Sequence, residues 1–397
     1  MSKKVVLAFS GGLDTSYCAM YLSKDLGYDV TAVTVNTGGF NEDDRKLLEE
    51  KAKKLGVAAY DFVDETENFY QNGIKYLLFG NVLKNNTYPL SVSAERVFQA
   101  VAIAHYANKI GASAIAHGST GAGNDQVRFD LVFQSLCPGA EIITPIRDLT
   151  LSREEEINYL KEKGVQANWE KAAYSINQGL WGTSVGGKET LTSHQYLPEQ
   201  AFPSQLEKQG TETVSIQFEK GEPVALNGKA DHPVRVIQSL NALAKTYAIG
   251  RDIHVGDTII GIKGRVGFEA PAPLILIKAH HALEKHTLSK HQLFIKDQTS
   301  AWYGNLMHEG QYLDPAMRDL EAFLQNSQEF VTGTVEVQLA PYRFHIIGIT
   351  SANDLMQSSF GQYGEMNKGW TAQDARGFAN IFSNQTKLYY SLHHDKF

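Results

Sequence analysis

Residues 5–9 form an uninterrupted apolar run, the pattern of a strand buried on both faces. The pair Gly11-Gly12 breaks it, and Tyr17, Tyr21 and Leu22 then follow at helical spacing as far as Gly27. A second strand pattern fills 30–35. Asn41 stands where a helix cap is expected, ahead of a charged stretch that closes at Leu55 and Gly56. Residues 58–63 read as a third strand and 94–110 as a long helix stopped by Gly111. Residues 114–117 read as a short strand running into the glycines of 118–123. Ser152 and Glu155 fit a capping box for a helix ending near Gly164. Strands alternating with helices predict an α/β fold, a parallel, doubly wound sheet covered on both faces.

From residue 168 the pattern changes. Glycine, serine and threonine crowd 179–187. Residues 214–226 alternate around a hairpin turn, as do 333–339 with 344–350, and helical patterns occupy 234–247, 278–307 and 315–325. This predicts a separate α+β domain. From Trp370 onward there are apolar and aromatic residues that a lone tail cannot bury. The expected organisation is a parallel-sheet domain over 1–167, an α+β domain over 168–369, and a tail over 370–397 that packs on a partner subunit.

Composition narrows the function. At 43% apolar and 20% charged over 397 residues, the chain is ordinarily globular and long enough for two domains. Its formal net charge of −7 lacks the basic excess of a phosphate-binding nucleic-acid protein, although a local patch for a small RNA would escape this test. Cys18 and Cys137 are the two cysteines, too few for a disulfide framework or a cysteine-ligated zinc site. The five apolar residues after Lys3-Lys4 are too few for a secretory core. No apolar run approaches the roughly 20 residues of a membrane span. A cytoplasmic enzyme without membrane or nucleic-acid partners is the expectation.

The strongest chemical signal is Ala8-Phe9-Ser10-Gly11-Gly12-Leu13-Asp14-Thr15-Ser16, where a strand pattern gives way to a helix pattern. Ligands of open α/β sheets bind at such corners. A pyrophosphate needs close backbone N–H groups; glycines let the backbone approach, and a helix start supplies unpaired donors and a positive dipole end. Ser10, Thr15 and Ser16 add hydroxyls, while Asp14 would serve Mg²⁺ or cap the helix. The segment lacks the spacing and lysine of a Walker loop. Cleavage between the α- and β-phosphates of ATP is therefore favoured over γ-phosphoryl transfer. The second signal runs from His117 to Phe129 and sets Asn124, Asp125 and Arg128 beside Gly118, Gly121 and Gly123. Mixed polarity of this kind suits an amino-acid ammonium and carboxylates. A turn with a helix cap would explain Asn124-Asp125 equally well.

The first segment resembles the pyrophosphate loop of the ATP pyrophosphatases, and the two together resemble the argininosuccinate synthase family. The likeness continues in Tyr88-Pro89-Leu90-Ser91-Val92-Ser93 with Arg96, in Tyr174-Ser175, in Gly182-Thr183-Ser184 and in Gly261-Ile262-Lys263-Gly264-Arg265, covering nearly the whole chain. It implies an AMP-forming ligase of ATP, citrulline and aspartate, with Mg²⁺ on the departing pyrophosphate, assembled as a homotetramer. Ala8 through Ser16, Val35 and Gly118 would bind ATP. Thr120, Asn124 and Asp125 would hold aspartate. Tyr88, Ser93, Asn124, Arg128, Ser175 and Ser184 would line the citrulline site. Asp14 and Asp125 would be the catalytic carboxylates, Asp125 orienting the attacking ammonium or accepting its proton. The resemblance names no metal ligands.

Four positions depart from the family pattern. Ala122 replaces a lysine and Val35 an alanine, and Gly256 and Phe268 stand where the citrulline site carries a glutamate and a tyrosine. A one-residue shift would make Asp257 the surviving carboxylate. Without it, either other residues replace the contact or the natural substrate is an N-acylated citrulline. Among other readings, an RNA-thiolating relative would need a catalytic cysteine pair and a basic face. A catalytically silent nucleotide sensor would not need the polar set around Asp125. His280, His281, His286 and His291 do not share a helix face as metal ligands would, and are expected at the surface or a subunit contact. Cys18 is expected as a small buried helix residue.

Overall fold

The computed structural model describes residues 2–165, 174–357, 359–366 and 368–393. Five parallel strands, β1 (Lys4–Ala8), β2 (Asp29–Asn36), β3 (Ala59–Asp64), β4 (Ala114–Ala116) and β5 (Glu141–Ile143), form one sheet in the order β3-β2-β1-β4-β5. Burial explains the continuous apolar run at its centre. Val5 and Leu7 pack toward the Leu13–Met20 helix, while Val6 packs on the other face against the Ser91–Ile110 and Asp125–Leu136 helices. The sheet is doubly wound, as the alternating pattern predicts. Its order reverses between β1 and β4, which opens a crevice at their carboxyl ends.

The long helix starts at Ser91, three residues before the expected 94. No side chain at its cap residue announces that start. Leu90 takes a left-handed conformation (φ 60°), and the Tyr88 hydroxyl accepts the Val92 N–H at 3.0 Å, doing the work of a cap from two positions upstream. The cap at Asn41 and the capping box at Ser152 form as predicted, and the cap at Asn41 is itself a capping box, closed by Asp44.

The remaining strands are β6 (Ser175–Gly179), β7 (Gly182–Gly186), β8 (Glu212–Glu219), β9 (Glu222–Leu226), β10 (Lys229–Ala230), β11 (Arg251–Asp257), β12 (Lys263–Glu269), β13 (Gly333–Ala340) and β14 (Arg343–Thr350). They build two antiparallel sheets, β10-β9-β8-β13-β14 and β11-β12-β7-β6. The single helical stretch expected over 278–307 is two helices, Pro271–Thr287 and Lys290–His308. Leu288 is extended between them, and Ser289 opens the second with a capping box to Gln292. The β6–β7 hairpin sits against the loop after β2. A Cβ on Gly39 would lie 2.0 Å from the Gln178 carbonyl oxygen, so only glycine permits this approach.

His280 corrects the surface reading. It is fully buried, between Asn81 Oδ1 (2.7 Å) and Gln328 Oε1 (2.8 Å), and burial pushes its pKa down to about 4. Its neighbours Glu284 and Lys296 are equally buried and pair at 3.0 Å, so the imidazole belongs to a buried polar network of the core. Cys18 is buried, as expected, and burial raises its thiol pKa.

Residues Met1–Ala352 form one compact unit and Asn353–Phe397 another. The expected boundary at 167–168 lies outside the described residues. The second unit carries the helices Ala372–Phe382 and Asn384–His393, in which no described residue is buried. Among the described residues no helix is long and apolar enough to cross a membrane.

Candidate active site

A cavity of about 940 Å³ opens at the carboxyl ends of β1, β2 and β4. The corner after β1 forms one wall. Gly11 makes the turn with φ 73°, and a Cβ there would meet Leu48 Cδ2 at 2.4 Å. Gly12 is the cap of the Leu13–Met20 helix and no side chain caps it. The helix start therefore keeps donor capacity for a ligand. The Gly12 N–H donates to Ser10 Oγ at 3.3 Å, and Ser10 Oγ lies 3.2 Å from Thr15 Oγ1, so the two hydroxyls stand together at this start. Ser16 differs. Its hydroxyl donates to the Gly12 carbonyl at 2.6 Å and is buried, holding the turn from behind.

Behind the same corner Glu156 is buried, and its pKa is raised to about 8, first by burial and then by Asp14. The corner therefore rests on a buried carboxyl that burial and Asp14 together bias toward its protonated form.

The turn after β4 abuts the first. A Cβ on Gly118 would sit 3.1 Å from the Asp14 carbonyl carbon. His117 anchors this turn. Its Nδ1 accepts the Ser119 N–H at 3.2 Å, which leaves Nε2 to donate to Asp130 Oδ1 at 2.9 Å, and Arg147 closes on the other Asp130 oxygen at 2.7 Å. Asn124 reaches across the cavity, its Oδ1 accepting the Ile259 N–H at 2.8 Å.

Asp125 lies between two guanidiniums: Arg96 Nε at 3.1 Å and Arg128 Nη1 at 2.9 Å. Burial works to raise its pKa, but the two arginines outweigh burial and hold it below the usual carboxylate range. Arg96 also donates to Asn177 Oδ1 on β6 at 2.8 Å, and Arg128 donates twice to the His308 carbonyl oxygen, at 2.9 and 2.8 Å. One carboxylate thus fixes two arginines, and the arginines tie β6 and the end of the Lys290–His308 helix to the cavity. Glu95, beside Arg96, is buried, and burial lifts its pKa to about 7 despite the guanidinium.

The sequence-predicted residues fall as follows. Ala8, Phe9, Ser10, Gly12, Leu13, Asp14, Thr15, Val35, Gly118, Thr120, Asn124, Asp125, Tyr88, Ser93, Arg128, Ser175 and Ser184 all line the one cavity. Gly11 and Ser16 do not; the first packs against Leu48 and the second bonds its own helix. Asp14 does not cap the helix, a place Gly12 holds, and it faces the cavity. Ala122 is exposed. Gly256 lines the cavity from the inward face of β11; Asp257 reaches its edge, and its exposed carboxylate accepts from Lys263 at 2.8 Å. Phe268 is fully buried and packs on Tyr88 with ring centroids 5.5 Å apart.

Two models of known families cover most of the chain. The Arginosuccinate synthase N-terminal HUP domain matches residues 4–166, and the Arginosuccinate synthase C-terminal domain matches 174–389. The chain belongs to the argininosuccinate synthase family. It is 38% identical over 392 residues to the argininosuccinate synthase of Methanocaldococcus jannaschii, covering 98% of each chain. The argininosuccinate synthase of Dehalococcoides mccartyi is 37% identical, covering 98% of this chain and 96% of its own. That of Xanthomonas campestris is 36% identical, covering 98% of each.

Among the cavity residues that sequence reasoning missed are His254 and His308. Both are nearly buried and both line the cavity. His254 stacks on Tyr88 (5.2 Å, 26° between planes), and His308 Nδ1 lies 3.2 Å from Ser93 Oγ. Burial depresses both pKa values, His308 to about 3 with help from Arg128, so both rings are neutral at pH 7. The alternation of β11, with His254 and Gly256 on one face, was the signal for the first. No local pattern marks the second.

Proposed function

We propose that this chain activates the ureido oxygen of citrulline, or of a citrulline derivative, as an adenylate and then joins the activated carbon to the amine of aspartate. Family membership makes it an ATP-dependent carbon–nitrogen ligase of arginine biosynthesis. The finer reading rests on one observation. The glycine corner, the Asn124–Arg128 turn and the β6–β7 hairpin all face one cavity, about 940 Å³, wide enough for three reactants held together.

The chemistry follows from that wall-by-wall arrangement. ATP would lie with its phosphates on the uncapped helix start and on Gly118, with Ser10 and Thr15 donating hydroxyls. The ureido oxygen attacks the α-phosphorus, the bond to the β-phosphate oxygen breaks, and pyrophosphate leaves. Aspartate's nitrogen then attacks the ureido carbon, AMP departs with the former ureido oxygen, and the nitrogen gives up its protons. Two arginines make Asp125 a weak base, so it serves better to orient the aspartate ammonium, which gives a proton to water before its amine attacks. Holding the reactants in line can supply about 7–11 kcal/mol of barrier reduction. Asp14 fits a magnesium site of the usual kind, one carboxylate with substrate phosphates and waters. A bound Mg²⁺ would neutralise charge on pyrophosphate as it leaves.

Assembly is part of the proposal. Phe378, Ile381 and Phe382 are each at least two-thirds exposed on the Ala372–Phe382 helix, at 67%, 71% and 78%. We place these faces against further copies of the chain in a cytoplasmic homotetramer, which light scattering would report as a mass four times that of the monomer. The test of the reaction is pyrophosphate release that requires ATP and a ureido substrate, and AMP release that also requires aspartate. Pyrophosphate release unchanged without any ureido compound would overturn it.

A further inference from the structure

We propose that the cavity wall made by His254, Gly256 and His308 is a subsite for an acyl group on the α-nitrogen of the ureido substrate, so that this chain prefers an N-acyl-citrulline to free citrulline. The proposal rests on the reaction just described and specifies its substrate.

A free amino acid brings an α-ammonium, and a buried ammonium needs a carboxylate. This wall offers none that is unpaired. Gly256 holds the inward position on β11, and the exposed carboxylate of the next residue, Asp257, pairs with Lys263. Asp125 is already held by Arg96 and Arg128, and Glu95 by Gln99 and Arg96. In place of a carboxylate the wall carries an imidazole. His254 fills the space beside Gly256 so closely that a Cβ on residue 256 would lie 2.5 Å from His254 Nε2. A side chain at 256 and the present place of His254 exclude each other.

The wall is built to meet an uncharged polar group. His254 and His308 are each 6% exposed, and His254 Nδ1 and His308 Nε2 are buried without a hydrogen-bond partner. Orphaned buried nitrogens are costly and call for a ligand. In His308, Nδ1 already faces Ser93 Oγ and the Arg128 guanidinium, so the ring proton belongs on Nε2. A neutral N–H suits the carbonyl oxygen of an amide. Beyond His308 lies a second cavity of about 220 Å³, lined by Lys84, Asn85, Asp257, Thr258, Ile259, His308 and Glu309. The two cavities adjoin, with Asp257, Thr258 and His308 lining both. The positive charge of Lys84 acts on both imidazoles.

The experiment compares citrulline, N-acetylcitrulline and N-succinylcitrulline with ATP and aspartate, following pyrophosphate and AMP together. Preference for either acyl compound by tenfold or more in kcat/KM supports the subsite. Equal or better use of free citrulline overturns the subsite while leaving the ligase reaction intact. No pyrophosphate with any of the three overturns the reaction itself. The His254→Phe variant keeps a ring on Tyr88 and removes the nitrogens. The subsite requires that it raise KM for the acyl substrate and narrow the preference at least fivefold. A variant that slows both substrates equally would show a merely structural histidine and overturn the assignment.

Discussion

The two walls of the cavity are made in different ways. The phosphate wall is nearly local: Ser10, Gly12, Asp14 and Thr15 lie within one turn after β1, their geometry following from a strand end, a glycine turn and a helix start, and Gly118 joins them from the turn after β4. The opposite wall is assembled from distant segments. Arg128 reaches His308 across 180 residues, Arg96 reaches Asn177 across 81, and His254 stacks on Tyr88. Backbone donors need little support to stay in place, whereas the charged side chains Arg96, Asp125 and Arg128, from two helices, must neutralise one another to stay at all. The first wall should thus tolerate side-chain changes and be sensitive to added Cβ atoms, and the second the reverse.

The largest effect is expected at the second wall. Arg128→Ala strips Asp125 of a partner and removes both bonds to the His308 carbonyl; breaking a buried pair this way costs about 3–5 kcal/mol. Urea denaturation would measure it, and a loss below about 1 kcal/mol, the worth of an exposed pair, would mean that the wall does not depend on this ion pair. Asp125→Asn keeps the shape and removes the charge. We expect kcat/KM for aspartate to fall roughly 10–100-fold, the value of a charge-assisted hydrogen bond, and near-normal turnover would remove Asp125 from the reaction. At the phosphate wall, Gly118→Ala should raise KM for ATP by about tenfold, close to 1.4 kcal/mol, with unfolding unchanged. An equal loss of stability would erase the contrast between the walls.

The smallest effect is a pH dependence. Folding raises the Glu156 carboxyl from 4.5 to about 8, so its contribution to stability is complete below pH 4.5 and declines as the pH rises through 8. Glu156→Gln cannot titrate. Thermal midpoints of the two proteins should diverge across that window, the wild type falling relative to the variant, and parallel curves would show that the carboxyl is not perturbed.

The same division explains what the sequence disclosed. The doubly wound sheet was legible because β1 and β2 are apolar on both faces and are followed by glycine or asparagine signals. The phosphate corner was legible because its residues are consecutive. The start of the Ser91–Ile110 helix was not, since a tyrosine hydroxyl rather than a cap residue supplies the bond. His280 was misplaced because a helix pattern does not show that Asn81 and Gln328, 199 and 48 residues away, will enclose it. Seventeen of the predicted site residues share the cavity, yet the character of its far wall came from His254 and His308, which no short motif contains.

The most direct test follows one atom. A ureido substrate that the chain turns over, labelled with ¹⁸O at the ureido oxygen, is incubated with ATP, Mg²⁺ and aspartate, and the products are read by mass spectrometry. Attack on the α-phosphorus at the glycine corner predicts the heavy oxygen on the phosphate of AMP and unlabelled pyrophosphate. Label in pyrophosphate or in inorganic phosphate, with AMP unlabelled, would contradict it.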